Sequence, residues 1–265
     1  MSKATLLHVI TNLKQFFIWL RDQKGYEKIK LTEIDYFNMS ENDIAIAKGK
    51  KFKNYPTLEQ IRKVVLSLPH ETEIEKRDRA LIAFTIITGA RDAAIATLKI
   101  KHVDIYHKSV SQDPKDGVKT KFGKLICTKF FPVGNDIEQI VIDWVKFLRE
   151  EKLYSDNDPL FPRTKLAHNK DFCFEAQGLE PTSWKSTTQI REIFKNSFAK
   201  CQLPYYNPHS FRDTLSMLGK KTCTLEQYQA WSQNLGHSKM STTLDEYGNI
   251  STHRQFELIE GMVSN

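Results

Sequence analysis

The stretch "RDRALIAFTIITGARDAAIATL", residues 77–98, is the part of the sequence that decides the fold. Its first half, residues 77–88, is apolar on almost every side, and a helix of that kind is buried in a core. Gly89 follows directly, and glycine commonly ends a helix because it accepts left-handed backbone dihedrals. The sequence therefore predicts a central buried helix that ends at Gly89, with Arg91 two positions beyond it.

Helical patterns lie on both sides of this segment. Residues 5–23 carry a wide apolar stripe at helical spacing, and a second, shorter helix is expected between Thr32 and Lys48. Two capping boxes mark helix starts, Thr57 with Gln60 and Thr224 with Gln227. Three more helices are expected, in residues 136–151, 186–201 and 209–221.

The helical period breaks between residues 98 and 133. The segments "LKIKHVDIYHKSVSQ" (98–112) and "KLICTKFFPV" (124–133) are typical of strands, and turn-forming residues separate them. These segments predict a small antiparallel β-sheet. The expected fold is thus mainly α with one small antiparallel sheet, in two unequal pieces.

The composition is that of an ordinary globular protein of 265 residues, and its formal net charge of +7 favours a polyanionic partner such as nucleic acid. No apolar run approaches the roughly 20 residues of a membrane helix, and no signal peptide is recognised. Four widely separated cysteines, with no Cys-x-x-Cys pair, predict reduced thiols in a cytoplasmic protein. They are Cys127, Cys173, Cys201 and Cys223.

The segment "KGKKFKNYP", residues 48–56, predicts a domain boundary. It divides the chain into residues 1–53 and residues 54–265. A basic linker can simply be solvated, but if DNA is the ligand it can also lie along the phosphates. Its four lysines are therefore candidate DNA-binding residues: Lys48, Lys50, Lys51 and Lys53.

Several chemically capable residues occur in a fixed order along the chain. Arg91 follows the buried helix in "TGAR", lysines occupy the segment between the strands, and His209 and Arg212 lie three apart in "PHSFRD". "LGH" follows, ending at His237, and Tyr247 comes ten residues later among small polar residues. Each of these residues alone has an ordinary structural explanation, but their order and spacing together do not.

This pattern resembles the tyrosine recombinases, the phage-integrase family, over residues 54–265. The resemblance implies a catalytic domain preceded by a helical core-binding domain, of which residues 1–53 match only a part. It implies a site-specific recombinase, or integrase, that cuts and rejoins double-stranded DNA for integration or excision of a mobile element. A homotetramer on two DNA sites is expected, with a monomer possible in isolation, and neither metal nor cofactor is needed.

The resemblance also assigns roles to individual residues. Tyr247 is the nucleophile that forms a 3′-phosphotyrosyl intermediate, and Arg91 and Arg212 bind the phosphate oxygens. His209 matches the general base or tyrosine-positioning residue, and His237 the second phosphate-binding donor. A hairpin lysine protonates the leaving 5′-oxygen. Lys121 is preferred because it flanks the Phe122-Gly123 turn, and Lys124 is the alternative.

Two departures from the family pattern keep other functions open. The family commonly has an acidic residue where this chain has Ala94, and His237 and Tyr247 are ten residues apart where nine is usual. One alternative is a type IB-like topoisomerase, which shares the two arginines, the lysine, the histidine and the tyrosine. The other is a DNA-binding protein of the same fold whose strand exchange is lost or impaired.

Overall fold

The computed structural model of the chain describes residues 1–49, 54–168 and 174–237. Contacts between residues divide the chain into two units, Met1–Lys53 and Asn54–Asn265. Within the described ranges, no helix is both long enough and apolar enough to cross a membrane.

The first unit consists of helices. The helical stretch expected between Thr32 and Lys48 is present, but it is divided into two helices. The second of them begins where the Ser40 side chain accepts a hydrogen bond of 3.1 Å from the Asp43 N–H, an N-cap that interrupts any longer helix. The helices are α1 (Lys3–Arg21), α2 (Leu31–Ile34) and α3 (Glu41–Lys48).

Helix α1 packs against α2 and α3 through only part of its apolar stripe. The ring of Phe17 stacks on that of Phe37 with 5.2 Å between centroids, and Lys14 forms a 2.8 Å ion pair with Asp35. Trp19 is 56% exposed, and no residue of α1 is fully buried. The first unit therefore has little core of its own, with Ile34 as its one fully buried hydrophobic residue among residues 1–49.

The second unit contains the central core. Both predicted capping boxes are confirmed, since Thr57 and Thr224 each cap the first turn of a helix. A third box, Thr72 with Glu75, extends the buried helix by four residues at its start. The helices are α4 (Leu58–Ser67), α5 (Glu73–Thr88), α6 (Asp92–Ile95), α7 (Asn135–Lys146), α8 (Thr188–Lys200), α9 (Ser210–Thr222) and α10 (Leu225–Asn234).

Helix α5 lies at the centre of this unit, as predicted. Every residue from Ala80 to Thr88 is buried, and the helix packs against α4, α7 and α9. It ends at Gly89, which has φ 60° and donates its N–H to the Thr85 carbonyl at 2.9 Å. The position just after α5 is therefore fixed by the core, and Arg91 is held there.

The predicted small antiparallel sheet is confirmed. Its strands are β1 (Val103–Asp104), β2 (Ser109–Gln112) and β3 (Ile126–Lys129), in the order β1-β2-β3. All pairs are antiparallel, with Val103 opposite Val110 and Val110 opposite Thr128. The segment between β2 and β3 contains a 3₁₀ turn, Lys121–Gly123, that carries the predicted lysine.

The expectation of a single sheet is wrong, because a second antiparallel pair follows α7. It consists of β4 (Arg163–His168) and β5 (Phe174–Glu180). Most side chains of these strands are exposed or half-buried. The alternation of apolar and polar residues that reveals a strand depends on one buried face, so the sequence carried little signal here.

The cysteines agree with the expectation of free thiols as far as they are described. Cys127, Cys201 and Cys223 form no disulfide. Cys173 lies outside the described residues.

Replacing Gly89 by alanine should destabilise the protein by about 2 kcal/mol or more. A left-handed residue with a Cβ costs about 1–2 kcal/mol, and here the new Cβ would also lie 2.7 Å from Leu235 Cδ2. Gly117→Ala is the matched control, since Gly117 has φ 87° but no atom within 4 Å of the added Cβ. Urea unfolding of both variants measures the difference, and equal losses would show that the contact with Leu235 is unimportant.

Candidate active site

Arg212 is the centre of the candidate site. It lies in the first turn of α9 and is only 4% exposed. Its guanidinium donates to the carbonyl oxygen of Gly89 at 2.5 Å and to that of Leu235 at 2.6 Å. Both carbonyls belong to the residues that end helices, α5 and α10. The C-terminal end of a helix carries partial negative charge and unsatisfied carbonyl groups, so it stabilises a buried cation.

These bonds bring the ends of three helices together. Gly89, Arg212 and Leu235 are far apart in sequence, but the guanidinium joins them at a single point. The planar guanidinium has five N–H donors and can therefore bond to several helix ends at once better than the ammonium group of a lysine can. The contacts with the two carbonyl groups orient the positive charge without neutralising it.

His237 lies beside this guanidinium. Its Nε2 is 2.9 Å from an Arg212 terminal nitrogen. Because a guanidinium can only donate, Nε2 acts as the acceptor, and the proton of the neutral ring is on Nδ1. Burial lowers the pKa of His237 from 6.5 to about 4, and the positive charges of Arg212, Arg91, His209 and Lys121 act in the same direction.

The groups that act on His237 are the sequence-predicted site residues. Arg91 is half-buried at the N-cap of α6, two residues beyond Gly89. His209 is the exposed N-cap residue of α9, and its carbonyl accepts the Arg212 N–H at 3.0 Å. The fold thus brings Arg91, Lys121, His209 and Arg212 near enough to His237 for their charges to lower its pKa, although residues 91 and 237 lie at distant points of the chain. These five residues are called the cluster below.

The turn that carries Lys121 has an unusual conformation. Phe122 has φ 61° and ψ 24°, in the left-handed region, and its side chain is 81% exposed. The Lys121 ammonium lies 5.0 Å from the centroid of this ring. Lys124 follows the turn and is exposed as well. Since Lys121 is among the charges that lower the pKa of His237, this lysine belongs to the cluster.

The position expected to hold an acid is filled by Ala94, which is 1% exposed and part of the core. Asp92, the neighbouring carboxylate, accepts two hydrogen bonds from Arg191 on α8, at 2.8 and 3.1 Å. It ties α6 to α8 and is committed to that contact. Asn207 is not among the predicted site residues, but its side chain accepts the Ser210 N–H at 3.0 Å and so supports the first turn of α9.

Several predicted site residues lie outside the described residues. These are the proposed nucleophile and three of the linker lysines: Tyr247, Lys50, Lys51 and Lys53. Lys48 is described, as the exposed last residue of α3 in the first unit. In residues 1–49, 54–168 and 174–237, no group of three or more His, Cys, Asp or Glu side chains is placed to hold a metal ion.

Comparison with known proteins gives a clear result for structure only. No family model matches the sequence, and no curated protein matches it. The XerA recombinase is similar in structure with a TM-score of 0.55 at 14% identity, over 97% of this chain and 84% of that protein. A lambda integrase dimer bound to a COC′ core site gives 0.57 at 13% identity, over 90% of this chain and 71% of the integrase.

A complex of another recombinase gives the same result. XerH bound to a palindromic difH substrate, in a post-cleavage complex, matches with a TM-score of 0.56 at 16% identity, over 100% of this chain and 72% of XerH. The fold of this chain is therefore that of the tyrosine recombinases. The predicted fold class is confirmed: mainly α with small antiparallel sheets, in the arrangement of the recombinase catalytic domain.

The depressed pKa of His237 predicts a dependence of stability on pH. In the unfolded chain the histidine binds a proton near pH 6.5, whereas the folded protein binds it only near pH 4. The unfolded state therefore gains protons first, and the free energy of unfolding should fall as the pH drops from about 6.5 to about 4.

Two measurements check this prediction. The His237 ring resonance, identified by its loss in His237→Gln, should titrate near pH 4, and the variant should lose less stability than the wild type over that interval. A titration midpoint between 6 and 7 would contradict the burial of this ring beside Arg212.

Proposed function

We propose that this chain is a site-specific DNA recombinase that cuts and rejoins double-stranded DNA through a 3′-phosphotyrosyl intermediate on Tyr247, for integration or excision of a mobile element. The observation that carries the proposal is the cluster of Arg91, Lys121, His209, Arg212 and His237. These residue types have the chemistry that transfer of a phosphoryl group requires, and they converge in a chain with the tyrosine recombinase fold.

The first requirement is a fixed positive charge for the phosphate. Arg91 and Arg212 bind its non-bridging oxygens, where planar guanidinium groups match the geometry of the oxygens. The contacts of Arg212 with Gly89 and Leu235 orient this charge before DNA arrives, so little reorganisation is needed in the transition state. The neutral His237 ring donates from Nδ1 to a phosphate oxygen, while its Nε2 accepts from Arg212.

The second requirement is that the attacking phenol loses a proton and the leaving oxygen gains one. The phenolic oxygen of Tyr247 attacks phosphorus, the bond between oxygen and phosphorus forms, and the bond from phosphorus to the 5′-oxygen breaks. A phenol has a pKa of about 10, so only about a thousandth is ionised near neutrality, and His209 accepts its proton. The Lys121 ammonium gives a proton to the leaving 5′-oxygen. Religation reverses these steps, and the energy retained in the phosphotyrosyl bond makes ATP unnecessary.

Double-stranded DNA is the proposed partner. Of the proteins that share the fold, XerH is bound to its palindromic difH substrate and lambda integrase to a COC′ core site. The positive net charge of the chain and the lysines of residues 48–53 support binding to phosphates. Residues 1–53 then belong to a core-binding domain and residues 54–265 to the catalytic domain, with four chains acting together on two sites.

One observation favours a second candidate. Ala94 is buried where an acid would help to hold the site together, and Asp92 is bound to Arg191. A protein of this fold that binds DNA but does not exchange strands is consistent with that loss. Trapping of a covalent intermediate distinguishes the two candidates, because only the enzyme becomes attached to DNA.

A nicked suicide substrate should become covalently attached to the wild-type protein, because the short 5′-hydroxyl fragment diffuses away and prevents religation. Tyr247→Phe should abolish attachment, since it removes the nucleophilic oxygen. Tyr106→Phe is the matched control, since Tyr106 is 86% exposed and lies outside the cluster. Labelled DNA on a denaturing gel gives the result, and attachment of DNA to Tyr247→Phe would refute the assignment.

The role of Lys121 can be separated from that of Lys124 with a modified leaving group. Loss of a general acid slows a reaction about 10²- to 10⁴-fold, so Lys121→Ala should trap DNA at that reduced rate. A substrate with sulfur in place of the bridging 5′-oxygen leaves as a thiolate, which needs no proton, and should restore the rate. Lys124→Ala should trap both substrates like the wild type. If instead Lys124→Ala is the variant rescued by sulfur, the general acid is Lys124.

A further inference from the structure

Asn234 makes a set of contacts that its place in the sequence gives no reason to expect. It is the last residue of α10, and His237 follows three residues later. Its side-chain oxygen accepts the Lys129 N–H at 2.7 Å, and its side-chain nitrogen donates to the Lys129 carbonyl at 2.8 Å. Its own carbonyl accepts a 2.9 Å bond from the Thr128 hydroxyl.

These bonds occupy the free edge of strand β3. In the sheet order β1-β2-β3, β3 has β2 on one side only. The Phe130 N–H bonds to the Lys108 carbonyl on the β2 side at 2.8 Å. Since alternate residues point to opposite edges, Lys129 directs its N–H and carbonyl away from β2. The carboxamide of Asn234 therefore pairs with β3 as a residue of a neighbouring strand would.

A second contact joins the same two segments. Gly236, immediately before His237, has φ 77°, and a Cβ placed there would lie 3.1 Å from two side-chain atoms of Ile126. The chain between α10 and His237 therefore runs directly against β3. Strand β3 begins three residues after the turn Lys121–Gly123, so the same strand is connected to the lysine of the cluster.

We infer that Asn234 is a positioning residue for the proposed recombinase. Its carboxamide fastens the segment that carries His237 to strand β3. This fixes the distance from His237 and its neighbour Arg212 to the turn that carries Lys121. The catalytic part of this inference, the effect of Asn234 on the reaction, rests on the proposed function. Within the described part of the chain, the Asn234 side chain bonds to the backbone of Lys129, which is not one of the proposed reacting groups. It acts by joining the element that binds the phosphate to the element that delivers the proton.

Joining these elements matters because they come from different parts of the chain. Arg212 connects α9 to the ends of α5 and α10, and the strand that leads from the turn of Lys121 must be connected to the same group. The bonds of Asn234 and Thr128 make that second connection. A shift of about 1 Å between catalytic groups can lower a rate about 100-fold.

Asn234→Ala removes both side-chain bonds to Lys129 and is the test variant. It should trap the nicked substrate about 10- to 100-fold more slowly than the wild type, with an unchanged apparent Kd for the same DNA. Gln233→Ala is the matched control, since Gln233 is an exposed residue with the same terminal amide, one position earlier on α10. Thr128→Val removes the third bond without changing the size of the side chain and should slow trapping less.

Two measurements on the protein without DNA keep this inference separate from the proposed function. In Asn234→Ala, the Lys129 amide should exchange its hydrogen faster, and the His237 pKa should rise from about 4 towards its ordinary value as the ring becomes more exposed. Both should stay unchanged in Gln233→Ala. A well-folded Asn234→Ala protein with wild-type values for both overturns the inference.

The trapping assay has equally definite outcomes. Trapping by Asn234→Ala at the wild-type rate, or a loss of trapping explained entirely by weaker DNA binding, also overturns the positioning role. A wild-type protein that never attaches to DNA refutes the proposed function, and the two measurements without DNA then decide by themselves whether Asn234 holds His237 against β3.

Discussion

The buried guanidinium of Arg212 is the interaction on which the rest of the candidate site depends. Removing a charged group from water is costly, and such a group is tolerated only where hydrogen bonds replace the lost hydration. Here the ends of α5 and α10 supply two carbonyl oxygens at 2.5 and 2.6 Å. The two carbonyl groups reach the guanidinium only because α5 and α10 end at these residues. The glycine that stops α5 is therefore also part of the support for the charge.

The state of His237 follows from the same arrangement. A ring that accepts from a guanidinium through Nε2 is held in the neutral form, and the surrounding positive groups disfavour its protonation further. Arg212 is buried, whereas His209 and Lys121 are exposed. This division agrees with the proposed chemistry, in which fixed groups bind charge and accessible groups exchange protons with the reacting atoms.

Much of the fold could be predicted because its signals are local. The buried helix before Gly89, the capping boxes at Thr57 and Thr224, and the break in periodicity between residues 98 and 133 each depend on neighbouring residues only. Predictions were wrong where a local signal was weak. Ser40 starts a new helix inside a pattern that looked continuous, and β4 and β5 lack the buried face that makes a strand recognisable.

The sequence by itself determined which residue types are present and in what order, and this order was enough to indicate a family and a list of candidate residues. Only the tertiary structure decided that Arg212 is buried against two helix ends, that Asp92 is bound to Arg191 and that Asn234 pairs with the edge of β3. The reason is physical. Helix periodicity and capping arise from residues within one or two turns, whereas these hydrogen bonds join groups about 20 to 120 residues apart and exist only once the core has set the distances between helices.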